Sequence, residues 1–221
     1  MPANPTNNQK AIVFVHGIWM KGFEFLYLAY HLKKRGYRIY LFTYPSLFKT
    51  PEENADNLNR FVSRIKEPQI HWVAHSLGGI VLSHFFKKYP LAQQGKVVMI
   101  GTPINGSAVA NYFARRKWLR WLLGRATEQG LLGNIPAWHA SRQLCMIAGN
   151  RGIGIGMFLA KSVMQKMHDG TVNLSETTCE SCQEYYVVPH GHFAMLWSKQ
   201  VLHRITGFLS GHNNDFQKSK S

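Results

Sequence analysis

Acidic residues are scarce in this chain: its 221 residues carry 11 Asp and Glu against 26 Lys and Arg, a formal net charge of +15. Such a surplus favours anionic partners, whether membrane surfaces, acidic lipids, nucleic acid or polyanionic glycans, and equally suits a basic soluble enzyme with none of them. Cysteine is rarer still. Cys145, Cys179 and Cys182 are an odd number, too few for a disulfide framework. The C-x-x-C spacing of Cys179-Glu180-Ser181-Cys182 lacks the second ligand pair of a zinc site, and it does not open a helix after a strand as a thioredoxin-like motif would. Coincidence is the preferred reading, and neither a metal nor a cofactor is expected. No apolar run reaches the roughly 18 residues of a spanning helix. The first ten residues, polar with Asn4, Asn7, Asn8 and Gln9, lack the basic start and apolar core of a secretory signal. The expected location is cytoplasmic, with at most a peripheral contact to an anionic membrane. Internal repeats, low-complexity linkers and nucleic-acid motifs are also missing, so nucleic acid is not an expected partner.

With 45% hydrophobic residues the chain can bury a sizeable core, and its length calls for one domain, with the core about 10–210 and a polar, frayed tail at 211–221. Short apolar runs rich in β-branched residues predict strands at 11–15, 37–42, 70–74, 97–100, 144–148 and 185–188. Helical patterns lie between them, at 23–34, from Thr50 onward, at 77–88 and at 193–209. Thr50-Pro51-Glu52-Glu53 is a strong helix start, with a capping threonine, proline at the first helical position and a glutamate that closes a capping box. Ala55, Leu58, Phe61, Val62 and Ile65 form that helix's apolar stripe, and Trp197, Val201, Ile205 and Leu209 that of the last one. Strands alternating with helices predict an α/β fold around a mostly parallel sheet of about six strands, flanked by helices on both faces.

Two stretches exceed minimal alternation. Residues 104–141 hold Trp118, Trp121 and Trp138 with Arg115, Arg116, Lys117, Arg120 and Arg125, and suggest a lid or a wall of an acyl pocket. As one continuous helix, however, Arg116 and Arg120 fall among Val109, Phe113 and Leu123, and the faces separate poorly. Residues 151–168 begin Gly152-Ile153-Gly154-Ile155-Gly156, which lacks the G-x-G-x-x-G spacing of a dinucleotide loop, and become helical over 157–167.

Val73-Ala74-His75-Ser76-Leu77-Gly78-Gly79 reads as a nucleophile elbow, a strand turning sharply into a helix with a serine at the turn. Small residues two places either side of Ser76 let the two backbones come close. Gly78 has the usual form, and Ala74 is one methyl larger than the usual glycine. A serine hydroxyl needs a base to take its proton and a third group to orient that base. In this architecture the chain order is serine, acid, histidine. Asp169 is the aspartate in the permitted window, within the turn His168-Asp169-Gly170-Thr171-Val172, while Glu128, Glu176, Glu180 and Glu184 remain competitors. Of the later histidines, His203 and His212 lie on the last helix or in the tail, and His192 is preferred to His190 because it directly precedes Phe193-Ala194-Met195-Leu196. Two amides would complete an oxyanion hole, those of Leu77, after the serine, and Ile18, in the loop His16-Gly17-Ile18-Trp19. His16 and His75 occupy the two turns and are read as structural hydrogen-bonding residues.

Taken in order, the His16-Gly17 loop, the elbow, Gly101-Thr102-Pro103-Ile104-Asn105-Gly106-Ser107, Asp169-Gly170-Thr171-Val172 and His192 with Met195-Leu196 make residues 12–209 resemble a small α/β-hydrolase of the serine lipase and esterase group. The resemblance implies ester hydrolysis through an acyl-serine intermediate, with a small-molecule or lipid ester as substrate. It also places Thr102 and Ser107 at the border of the site without a catalytic part. The same fold hosts thioesterases, acyltransferases, phospholipases and non-catalytic binding modules, so the substrate stays open.

Overall fold

The computed structural model describes residues 10–90, 95–138, 142–152 and 154–211. The polar segments expected at the two ends, residues 1–9 and 212–221 with His212, lie outside the described residues, as do Ile153 and residues 139–141 of the insertion.

Strands buried on both faces need apolar side chains at successive positions rather than at alternate ones. The inner runs satisfy this as β1 (Lys10–Val15), β3 (Gln69–His75), β4 (Val97–Ile100) and β5 (Leu144–Gly149), while β2 (Arg38–Phe42) and β6 (Glu184–Val188) are half-buried edge strands. They form one sheet in the order β2-β1-β3-β4-β5-β6, with every neighbouring pair parallel. Successive side chains point to opposite faces. Ala11, Val13 and Val15 pack with α2 (Pro51–Val62) and α3 (Leu77–Lys88), while Ile12 and Phe14 pack with α1 (Leu26–Lys33) and α7 (Lys199–Ser210). The order reverses at β1, which has β2 on one side and β3 on the other. Such a reversal opens a crevice at the carboxyl ends of the strands, where ligands of open α/β sheets bind.

The capping signal at Thr50 works as its chemistry predicts. Thr50 Oγ1 accepts from the Glu53 amide at 3.1 Å, and Glu53 Oε2 accepts from the Thr50 amide at 2.7 Å. Three helical expectations need correction. The pattern over 193–209 is not one helix. A 3-10 turn, Ala194–Trp197, is followed by Ser198 in extended conformation, whose hydroxyl caps α7 by accepting from the Gln200 and Val201 amides. Val201, Ile205 and Leu209 are buried on α7, whereas Trp197 belongs to the turn and is exposed. The helix over 157–167 reduces to α6 (Ile155–Leu159) and a 3-10 turn at Lys161–Val163. The pattern over 23–34 likewise begins as a 3-10 turn before α1.

Buried histidines make the fold acid-sensitive, and His71 is one of them. On β3, His71 Nδ1 accepts from the Lys96 amide at 3.0 Å, and its Nε2 has no partner among the described residues. Burial, aided by the charges of Lys10 and Lys96, pulls its pKa down to about 4 from 6.5. The unfolded chain therefore takes up a proton near pH 6.5 that the folded chain refuses until about pH 4, so stability is lost as pH falls through that window. The contribution is about 3 kcal/mol at most. Denaturant titrations over that range are expected to show falling stability, with a shallower slope for His71→Gln, which keeps an acceptor for the Lys96 amide. An unchanged slope would remove His71 as the cause.

Candidate active site

Ser76 stands between β3 and α3 with φ 52° and ψ −122°, a conformation that L residues rarely adopt and that surrounding structure must hold. Its amide donates to Ile100 O at 2.9 Å. The glycines explain how the turn closes. A Cβ at Gly78 would collide with the carbonyl oxygens of Val15 and His16, and one at Gly79 would strike the side chain of Thr102. The methyl of Ala74, by contrast, is buried among the α2 and α3 core residues. The larger residue is tolerated because its side has a hydrophobic face to pack against, and the strict demand for glycine falls at Gly78.

Asp169 follows β5 and His192 follows β6. Oδ2 of Asp169 lies 2.6 Å from His192 Nδ1, and its Oδ1 accepts from the amides of Thr171 at 2.9 Å and Val172 at 2.7 Å. A second tie runs through the backbone, where the His192 amide donates to Asp169 O at 2.9 Å. Both side chains are buried. With Nδ1–H committed to the carboxylate, Nε2 is the ring nitrogen left to accept a proton. The imidazole is held against the elbow. Its ring lies 4.5 Å from that of His75, the residue before Ser76, and the absent side chain of Gly101 makes room for it, since a Cβ there would sit 3.0 Å from Nδ1. No hydrogen bond joins Ser76 Oγ to His192 among the described residues, and such contacts are commonly long without substrate.

The other polar residues have evident employment. His75 Nε2 donates to His192 O at 3.2 Å, and full burial, with the neighbouring His192 next in importance, pushes its pKa far below the usual value, so it stays neutral. His16 stacks on Tyr44 at 4.1 Å, donates from Nδ1 to Gly17 O and accepts the Tyr44 amide at Nε2, while Tyr44 OH donates to His16 O at 2.6 Å. Burial lowers its pKa too. Glu176 is a cap. Its carboxylate accepts from the amides of Ala108 and Asn173 and from Asn173 Nδ2, and burial raises its pKa. Glu128 pairs with Arg125, Glu184 accepts from Tyr186 OH, and Glu180 is exposed in the turn before β6. His190 bonds Ser198 Oγ at 2.8 Å, and His203 lies exposed on α7. Ser107 caps α4 (Ala108–Ala114) by accepting from the Ala110 amide, and buried Thr102 packs under Gly79.

Gly17 brings the β1 loop against Ser76, where a Cβ would lie 3.2 Å from that of the serine. Neither the Ile18 nor the Leu77 amide has an internal acceptor among the described residues. The turn they frame is held from outside. Trp19, at φ 62°, donates its amide to Ser46 Oγ at 3.2 Å and its indole Nε1 to Leu122 O at 2.7 Å. That last tie was invisible in the sequence, because its partners are 103 residues apart.

The poor phasing of the insertion also has a cause. Arg116, extended at φ −116° and ψ 114°, separates α4 from a one-turn helix, α5 (Lys117–Arg120), so the two have independent phases. Val109, Phe113, Leu119 and Leu123 are buried together against Leu77 and Ile80 of α3. Glu176 at Ala108, Asn105 Nδ2 on Thr178 O, and Arg125 on both Leu47 O and Glu53 bind this layer to the body. The C-x-x-C pair forms neither a disulfide nor part of a metal-ligand cluster among the described residues. Cys182 Sγ donates to Cys179 O at 2.8 Å.

A family model described as a domain of unknown function, DUF7379, matches residues 1–167. The chain belongs to that family. No curated protein matches this DUF7379 chain in sequence. Among solved structures, the mature form of the lipase BlEst2 from Bacillus licheniformis superposes with a TM-score of 0.74 at 19% identity, over 93% of this chain and 94% of that one. The metagenomic carboxyl esterase MGS0156 gives 0.71 at 17% identity, over 95% and 78%. The type II thioesterase BorB from the borrelidin biosynthetic cluster gives 0.61 at 16% identity, over 95% and 94%. The DUF7379 chain has the α/β-hydrolase fold.

Proposed function

We propose that this protein is a serine hydrolase that cleaves carboxylic esters. The observation that carries the reading is the buried Asp169–His192 hydrogen bond beside a serine held at positive φ in a glycine-backed elbow. Three donors meet the two carboxylate oxygens, so the aspartate is held in place to orient the ring. His192 Nε2 takes the Ser76 proton as Oγ attacks the acyl carbonyl. Negative charge gathers on the carbonyl oxygen, and the Leu77 and Ile18 amides, which have no internal acceptor among the described residues, stabilise it. Collapse expels the alcohol, which leaves with the proton from His192. Water, deprotonated by the same nitrogen, then attacks the acyl-serine and releases the acid.

The substrate is a small-molecule or lipid ester. A thioester is the second reading, favoured by the likeness to BorB in fold. Labelling with a fluorophosphonate, followed by peptide mapping, should mark Ser76. A panel of p-nitrophenyl esters and acyl thioesters of rising chain length, with and without detergent micelles, then sets the class. An unlabelled serine with no turnover of any of them would end the hydrolase reading in favour of a non-catalytic module.

A further inference from the structure

Carboxylates are nearly missing from the middle of the chain. Between Glu67 and Asp169 only Glu128 occurs, against twelve Lys and Arg, and Glu128 is already paired with Arg125. Within this stretch Arg115, Lys117 and Arg120 are exposed and have no carboxylate partner among the described residues. Trp118 and Trp121 stand among them, 67% and 70% exposed, and neither indole N–H has a partner among the described residues. Other exposed aromatics share their edge. Phe48 follows β2, Phe158 follows β5 and Phe193 follows β6, so each projects from a segment leaving the carboxyl end of a parallel strand, the edge that carries Ser76.

Leaving two tryptophans and several phenylalanines in water around one edge is unfavourable unless something apolar covers them. Cations ringing amphipathic aromatic rings suit a surface that is negative outside and apolar beneath. Nucleic acid would also attract the charge, yet the aromatics sit on four separate segments, with Phe158 and Phe193 lining one cavity, Phe48 another and the two tryptophans neither, rather than forming a single track for stacked bases.

We propose that this edge, through Trp118 and Trp121 and the cations Arg115, Lys117 and Arg120, docks on the surface of an anionic phospholipid bilayer. The indole rings enter the headgroup region and the cations lie against lipid phosphates. Docking sets the Ser76 edge toward the bilayer. It stands independently of ester hydrolysis, because binding is read without turnover.

The test is flotation of the full chain with vesicles of phosphatidylcholine alone or mixed with phosphatidylglycerol. Binding is expected only to the mixed vesicles, weakening as salt rises, with a blue shift of tryptophan emission. Lys117→Glu/Arg120→Glu should weaken it on the order of tenfold or more, and Trp118→Ala/Trp121→Ala should weaken it about tenfold and remove most of the emission shift. The milder Lys117→Gln/Arg120→Gln pair, and circular dichroism of each variant, separate lost binding from lost folding. Equal binding to both vesicle types, no binding at low salt, or displacement from vesicles by a single-stranded oligonucleotide that binds more tightly would each overturn the proposal. Flotation reports on docking, and fluorophosphonate labelling on the hydrolase reading, so either can fail alone.

Discussion

Ser76→Ala is expected to cut turnover of a soluble p-nitrophenyl ester on the order of 10⁴- to 10⁶-fold, because in the proposed mechanism Oγ is the atom that forms the covalent bond and no neighbour replaces it. In that mechanism the other members of the site act only through that oxygen. The double variant Ser76→Ala/His192→Ala should therefore be no slower than the single one, and what remains over the uncatalysed rate reports binding and amide stabilisation alone. Folding is expected to survive, since the Ser76 amide rather than its hydroxyl bonds Ile100 O. Steady-state rates beside a circular dichroism melt check both halves. Near-wild-type turnover in pure Ser76→Ala would remove the serine from the chemistry.

Asp169→Asn should cost about 10³- to 10⁴-fold in kcat while changing the shape of the site little. An amide at this place cannot satisfy its surroundings. With its oxygen left on the Thr171 and Val172 amides, its NH₂ faces His192 Nδ1, which must then accept, and the proton moves to Nε2 where Ser76 needs a base. With the amide reversed, the NH₂ meets two N–H donors instead. Glu176→Gln is the informative contrast. It should leave kcat within about tenfold and lower stability by about 1–2 kcal/mol, since it loosens charge-assisted hydrogen bonds to the Ala108 and Asn173 amides. The reverse pattern of losses would transfer the orienting role to the glutamate.

The sheet was legible because its four inner strands are short, doubly buried apolar runs and its two half-buried edge strands are still rich in β-branched and aromatic residues, so six segments were placed to within a residue or so. The elbow was legible because glycine at Gly78 answers a local collision with Val15 and His16. What could not be read was anything settled between distant segments. Periodicity carried the last helix through Ser198, although that hydroxyl starts the helix afresh. It showed that residues 104–141 phase poorly as one helix but not where they break, because the extended Arg116 between α4 and α5 is a helix-permitted residue. Glu176 competed with Asp169 on sequence alone. The Asn173-x-x-Glu176 spacing of a capping box was the overlooked local signal.

The bond from the Trp19 indole to Leu122 O has a mechanical consequence. Preorganised amides help only while their direction is stiff, since a dipole free to swing must be reoriented in every catalytic cycle. The turn bearing Ile18 is steadied at one end by Gly17 against the elbow and at the other by a carbonyl of the layer that follows α5. That layer is thus a brace, and the rigidity of the β1 turn is borrowed from a segment a hundred residues downstream.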